Sequence, residues 1–305
     1  MHTLFIIPRL RHTVFAGLKT SYRGCHVLTP LRVVYHNHGA SSTSYSGSTY
    51  QVYTSFPLGV PIPRPGKNWT RFVCVSDTHK KTIPLVYGDI LIHAGDFTTF
   101  GKGYKAALDW IKELRHPQKV LIAGNHELNL DLQCRSEIYG RVDSQMAAEL
   151  DEERRMLTDQ SATDANLTYL EVSSADIPGE SGKKWSIHGS PYTPEYGTMG
   201  FSYPRKVENT MWSNVPQSTE VLVTHGPPFG ILDLTRYGKN HVGCPGLSHT
   251  VLHRLPHVRL HVYGHIHESR GVEIHQGSAG QDIVFVNAAC RDLKHPQPII
   301  VDLKN

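Results

Sequence analysis

Five short stretches of this 305-residue chain place possible metal ligands beside glycine or at the end of an apolar run. Asp77-Thr78-His79 sets a carboxylate and an imidazole two residues apart. In extended backbone such residues point to one side and form a chelating pair. Gly95-Asp96 offers a carboxylate that glycine leaves sterically open. Gly124-Asn125-His126 offers an amide oxygen and an imidazole side by side, one to ligate and one to handle a proton. Thr224-His225-Gly226 adds one imidazole, and Gly264-His265-Ile266-His267 adds a pair that strand alternation would again turn to one side. Carboxylate, amide and imidazole donors without thiolate suit borderline divalent ions such as Mn, Fe or Zn. Each stretch alone is a weak signal, since Gly-Asn-His also reads as a polar turn. The ordered set carries the chemistry.

The segments before these residues are what must position them. Phe72-Val73-Cys74-Val75, Ile90-Leu91-Ile92-His93-Ala94, Val120-Leu121-Ile122-Ala123, Val221-Leu222-Val223 and Leu260-His261-Val262-Tyr263 are short apolar runs of the kind found in buried strands. Ala106, Ala107, Trp110, Ile111 and Leu114 recur at helical spacing, which predicts a crossover helix over 102–115. A second, longer helix is predicted over 136–159, where Ile138, Val142, Met146 and Leu150 recur every fourth residue beside a charged face. Further strands are expected at 167–172, 184–188, 283–287 and 299–301. Strands that end in polar residues, with helical crossovers, describe a mostly parallel α/β arrangement with a site at the strand ends.

Composition narrows the function classes. A hydrophobic content of 39% is enough for one large domain or two small ones. The formal charge of +4 is too small and too dispersed for a nucleic-acid footprint. The five cysteines are odd in number and scattered, which suits a reducing compartment. No apolar stretch approaches the roughly 18 residues of a membrane span. Residues 1–70 contain no Asp or Glu and read as a separate basic extension, disordered or targeting, before a folded domain at 71–305. Leu10, Val14, Phe15 and Leu18 share a helical face near Arg11 and Lys19, the acid-free amphipathic pattern of a mitochondrial import segment. An untargeted extension is the other reading, and a cytoplasmic protein is expected unless the segment directs import. Pro61, Pro63 and Pro65 then make a stiff linker.

The order Asp-x-His, Gly-Asp, Gly-Asn-His, a lone His and Gly-His-x-His resembles the calcineurin-like metallophosphoesterase superfamily. The resemblance covers about residues 70–305. His93-Ala94-Gly95-Asp96-Phe97-Thr98, Gly124-Asn125-His126-Glu127-Leu128 and Gly264-His265-Ile266-His267-Glu268 are similar to the metallophosphoesterase-domain-containing branch. The resemblance implies a four-layer α/β/β/α sandwich of two mixed sheets with flanking helices. It implies two divalent ions, one held by Asp77, His79 and His267 and the other by Asn125, His225 and His265, with Asp96 between them. A hydroxide shared by two such ions would attack phosphorus in line, and His126 would donate a proton or hydrogen bond to the phosphate or leaving oxygen. The bland alternative for His126 is a histidine that only steadies its neighbours.

The protein-phosphatase branch continues Gly-Asp into an Asp-Arg-Gly triplet whose arginine binds phosphate. Here the continuation is Phe97-Thr98-Thr99-Phe100-Gly101. Less fixed charge favours a small phosphodiester or nucleotide, including cyclic nucleotides, over a dianionic monoester. His241, Arg236 and Lys239, in a polar loop between the last two motifs, are candidate substrate contacts. His93, His188 and His261 lie in strand patterns and read as packed histidines. A nucleotide-binding regulatory or scaffold protein with little turnover is the competing class, and a nuclease ranks below it for want of a basic groove. Oligomeric state is not legible.

Overall fold

The computed structural model describes residues 32–35, 43–57, 59–140, 144–236 and 240–305. Its strands begin with β1 (Arg32–Tyr35), β2 (Thr43–Ser46), β3 (Tyr50–Ser55), β4 (Trp69–Val75), β5 (Ile90–Ala94), β6 (Gln118–Ile122), β7 (Leu167–Tyr169) and β8 (Ser173–Pro178). They continue with β9 (Lys184–Ser190), β10 (Thr193–Pro194), β11 (Ser202–Tyr203), β12 (Val221–Thr224), β13 (Leu260–Tyr263), β14 (Gly271–Gln276), β15 (Asp282–Asn287) and β16 (Ile299–Lys304). One seven-stranded sheet has the order β2-β3-β16-β4-β5-β6-β7, the other β1-β14-β15-β13-β12-β9-β8. Both are mixed. β4 through β7 run parallel, as do β9, β12, β13 and β15, while β16, β14 and β8 pair antiparallel.

Side-chain alternation builds the layers. Phe72 and Cys74 of β4, Ile90 and Ile92 of β5, and Val120 and Ile122 of β6 pack into one core with Val221, Val223, Leu260, Val262, Val284 and Val286 of the facing sheet. The residues between them point outward. Val73, Val75 and Leu91 join Phe56, Ile62 and Ile83, and Leu121 meets Leu108 and Ile111 of the helix Tyr104–Glu113. Leu222, Tyr263 and Phe285 pack beneath the segment that carries Trp212, Leu247 and Val251. The central strands are thus apolar on both faces, which is why they read as unbroken runs. The predicted architecture of two mixed sheets with flanking helices is observed. Among the described residues no helix is long and apolar enough to cross a membrane.

Two expectations change. The helix predicted over 136–159 is interrupted: Leu132–Tyr139 stops at Gly140, whose φ of 75° leaves the helical region, and helices Ser144–Met156 and Gln160–Asp164 follow. The proposed boundary at residue 70 does not coincide with the edge of the sheets, because β2 and β3 extend one sheet through pairing of β3 with β16, and β1 pairs β14 in the other. Tyr50, Val52 and Thr54 alternate inward along β3, an amphipathic strand that its acid-free composition concealed. The import pattern at Leu10 to Lys19 lies outside the described residues. β8 and β14, unanticipated, lie at or near the ends of their sheet.

Candidate metal centre

β4, β5 and β6 are adjacent and parallel, so Asp77, Asp96 and Asn125 leave neighbouring carboxyl ends of one sheet. β12 and β13 are likewise adjacent in the other and deliver His225 and His265. The two edges are joined where His225 Nδ1 donates to the Ala94 carbonyl at 2.9 Å. The residues do not face one another by strand alternation, as the sequence spacing suggested. Asp77, His79, Asp96 and His265 have φ of 53°, 44°, 55° and 67°, left-handed conformations that are costly for these side chains and that turn each one into the site.

The ligand-type atoms interlock. His267 Nε2 lies 3.0 Å from Asp77 Oδ1, and His79 Nε2 lies 4.0 Å from the same oxygen and 3.7 Å from Asp96 Oδ2. Asp96 Oδ1 is 3.4 Å from His225 Nε2. Asn125 Oδ1 is 2.9 Å from His225 Nε2 and 2.8 Å from His265 Nδ1. Three overlapping sets, Asp77-His79-His267, His79-Asp96-His126 and Asp77-Asp96-His225, each bring their ligand atoms within 4.8 Å of one another.

Whether these residues suit a metal turns on His79. Its Nδ1 donates to the Thr98 carbonyl at 3.0 Å, which leaves Nε2 as a lone pair, buried and without a hydrogen-bond partner among the described residues. A buried acceptor that the protein leaves unsatisfied, beside two carboxylates, fits a cation. The electrostatics agree. Burial would raise Asp77, but the hydrogen bond from His267 and the nearby imidazoles hold it well below the usual carboxylate range. Burial likewise opposes Asp96, yet the charge and hydrogen bond of His225 bring it to about 2. Burial would lower His225, and the Asp96 carboxylate instead raises it to about 10. Burial dominates at His79 and His265 and lowers both to about 4, so each offers a free nitrogen at neutral pH.

His126 is fixed differently. Its Nδ1 accepts the Phe100 N–H at 3.1 Å, so in the neutral ring the proton sits on Nε2, 3.9 Å from Asp96 Oδ2. Its own N–H donates to Asp96 Oδ1 at 2.8 Å. Glu127 has a part that sequence reasoning did not assign: its buried carboxylate accepts the N–H groups of Asp96, Thr98 and Gly124 at 2.8, 2.8 and 2.6 Å. Burial and the Asp96 charge push it up to about 7 against those bonds. Its place directly after Gly-Asn-His was the only signal. At Gly264 an added Cβ would stand 2.0 Å from Asp77 Oδ2 and 2.2 Å from Ser76 Oγ, so no side chain fits.

His241 and Arg236 are not among the clustered ligand atoms. They occupy the loop after His225, which packs along the loop of His265 and His267 through Arg236 N–H to Glu268 Oε1 at 3.0 Å and Ser269 Oγ to the Leu234 carbonyl at 2.7 Å. His241 Nδ1 is hydrogen-bonded to the buried carboxylate of Asp233, which also accepts Gly230 and Gly243 N–H. Lys239 lies outside the described residues. His93, His188 and His261 are buried and hydrogen-bonded to Thr78, Ser174 and Thr224 at 3.0, 2.8 and 2.9 Å, as expected of packed histidines.

The sequence pattern of the calcineurin-like phosphoesterase family matches residues 70–269. Metallophosphoesterase domain-containing protein 1 of Mus musculus is 33% identical, with 94% of this chain and 92% of the relative aligned. The protein of the same name from Homo sapiens is 32% identical over the same shares. A UPF0046 protein of Caenorhabditis elegans is 34% identical over 74% of this chain and 72% of its own. The matched pattern begins inside β4 and ends just after His267, so it spans every strand end that reaches the cluster. On that match and these alignments, the chain belongs to the calcineurin-like phosphoesterase family.

Proposed function

We propose that this chain, which family membership and the Asp–His clusters support as a metal-dependent phosphoesterase, holds two divalent ions and hydrolyses small phosphodiesters, cyclic nucleotides among them. The observation that carries the reading is the interlocked set of ligand atoms in which Asp96 stands between the Asp77-His79-His267 group and His225. Asp77, His79 and His267 would hold one ion and Asn125, His225 and His265 the other, with Asp96 shared. When bound, such ions supply Lewis acidity at a phosphoryl oxygen and lower the pKa of water.

The protein's own contribution is orientation and proton delivery. Glu127 fixes the loops of Asp96, Thr98 and Gly124, so the carboxylate and amide meet at set distances. His126, with Nε2–H toward the cluster, donates to the phosphate or leaving oxygen. His241 and Arg236, on the adjoining loop, are the substrate contacts we assign, with Asp233 fixing the His241 ring. A diester is favoured because Thr99-Phe100-Gly101 stands where a phosphate-binding Asp-Arg-Gly would continue. Phe100, in the place of the arginine, is 54% exposed with its ring 4.5 Å from that of His126, an apolar wall.

The test is hydrolysis of a chromogenic phosphodiester beside its monoester by manganese-loaded protein, with Asp96→Asn as control. Diester turnover that exceeds monoester turnover and vanishes in Asp96→Asn is the expected result. Faster monoester turnover would overturn the substrate assignment, and full activity with two ions in Asp96→Asn would overturn the ligand assignment.

A further inference from the structure

The loop that follows β15 reaches the same strand ends from a direction the motifs do not mark. Ser76 N–H donates to the Ala288 carbonyl at 3.0 Å and Cys290 N–H to the Ser76 carbonyl at 2.9 Å, which lays residues 288–290 directly beside the turn into Asp77. The next two residues diverge. Asp292 turns toward His267, with Oδ2 3.7 Å from Nδ1, while Lys81 Nζ donates to the Arg291 carbonyl at 2.9 Å and ties the loop to the segment after His79. The Arg291 side chain is exposed, and among the described residues its guanidinium has no carboxylate or carbonyl partner. The Arg291 side chain therefore leaves a loop that is held between the turn into Asp77, Lys81 and His267.

We propose that Arg291 is a substrate-binding residue that holds the non-bridging oxygens of the phosphoryl group above the metal centre. The inference rests on the reading of the site as a phosphoesterase centre. A guanidinium left without a protein partner, beside a cluster that recognises phosphate, supplies the planar two-donor contact that phosphoryl oxygens accept. It supplies a single exposed cation from the loop after β15, where the Phe97-Thr98-Thr99-Phe100 continuation supplies none. Asp292 does not neutralise it, because that carboxylate is turned to His267.

The experiment is calorimetric titration of manganese-loaded protein with inorganic phosphate, together with KM for the diester and monoester, in wild type, Arg291→Ala and Arg291→Lys. Metal content is read on each sample. Arg291→Ala is expected to weaken phosphate binding about tenfold or more and to raise KM, more for the monoester, with metal content unchanged. Arg291→Lys should recover part of the affinity. Wild-type turnover together with unaltered phosphate affinity in fully metal-loaded Arg291→Ala overturns the role of the arginine alone. A wild-type protein that neither binds phosphate nor hydrolyses either ester overturns the reading of the site and the arginine's role with it.

Discussion

His126 shows how one hydrogen bond sets the chemistry of a side chain. Because the Phe100 N–H occupies Nδ1, the proton of the neutral ring is held on Nε2, next to Asp96 rather than in solvent. A donor so placed is useful only to an oxygen inside the site. His126→Ala should therefore keep its metal content while turnover falls by roughly 10²–10⁴, the span of general acid catalysis. Metal analysis beside kcat on the same preparation decides it, and loss of metal in step with activity would reassign His126 to the ligands. The residue types were legible here while their reasons were not. Asp77 and His79 were expected to share a side because strands alternate, yet they do so through left-handed backbone after the strand has ended. Glu127 was visible beside Gly-Asn-His, but its function is to receive N–H groups from Asp96 and Thr98, about thirty residues earlier in the chain. Spacing in sequence cannot announce a contact made only when β5 and β6 lie side by side.

At the scale of the element, what matters is how closely the strand ends approach. β4 and β13 belong to different sheets, yet Gly264 leaves its strand against Ser76 and Asp77 with no room for a methyl group. His265 N–H donates to Asp77 Oδ2 at 3.0 Å across the same gap. Gly264→Ala should push the Asp77 carboxylate aside and separate the edges, while both sheets, whose core lies deeper, stay paired. Metal stoichiometry should fall sharply in this variant with the circular dichroism spectrum retained. Full metal content would show that the gap opens without cost. The central strands were legible because burial on both faces makes them apolar runs, as in β5 and β12. β3 and β14 were not, for different reasons. β3 is half-buried and lies in an acid-free stretch, and β14 carries Glu273 and His275, both buried and hydrogen-bonded to each other at 2.9 Å. Polar residues inside a strand cannot be told from a surface turn until their burial is known.

At the scale of the whole molecule, the packed histidines connect the fold to pH. His188 and His261 are buried between elements that meet only in the folded chain, and burial lowers them to about 4 and about 3. Among the described residues the Nδ1 of His261 has no hydrogen-bond partner, so its ring is accommodated as a neutral, largely apolar body between Tyr263 and Phe285. In the unfolded chain both groups return to the ordinary histidine range near 6.5. Between that value and the folded pKa the unfolded chain binds more protons, so stability increases with pH across the window. The stabilisation is complete above pH ~6.5 and is lost as the pH falls through ~4, by about 1.4 kcal/mol per pH unit for each such group. The urea midpoint of the protein should therefore drop from pH 7.5 to pH 5 under fixed metal conditions. His188→Asn places an amide where Nδ1 meets Ser174 Oγ at 2.8 Å and removes the titration, so its midpoint should fall less over the same range. A midpoint independent of pH, or a slope unchanged in His188→Asn, would mean that these rings take up protons inside the fold as readily as outside it. Burial in the layers would then not be what keeps them neutral.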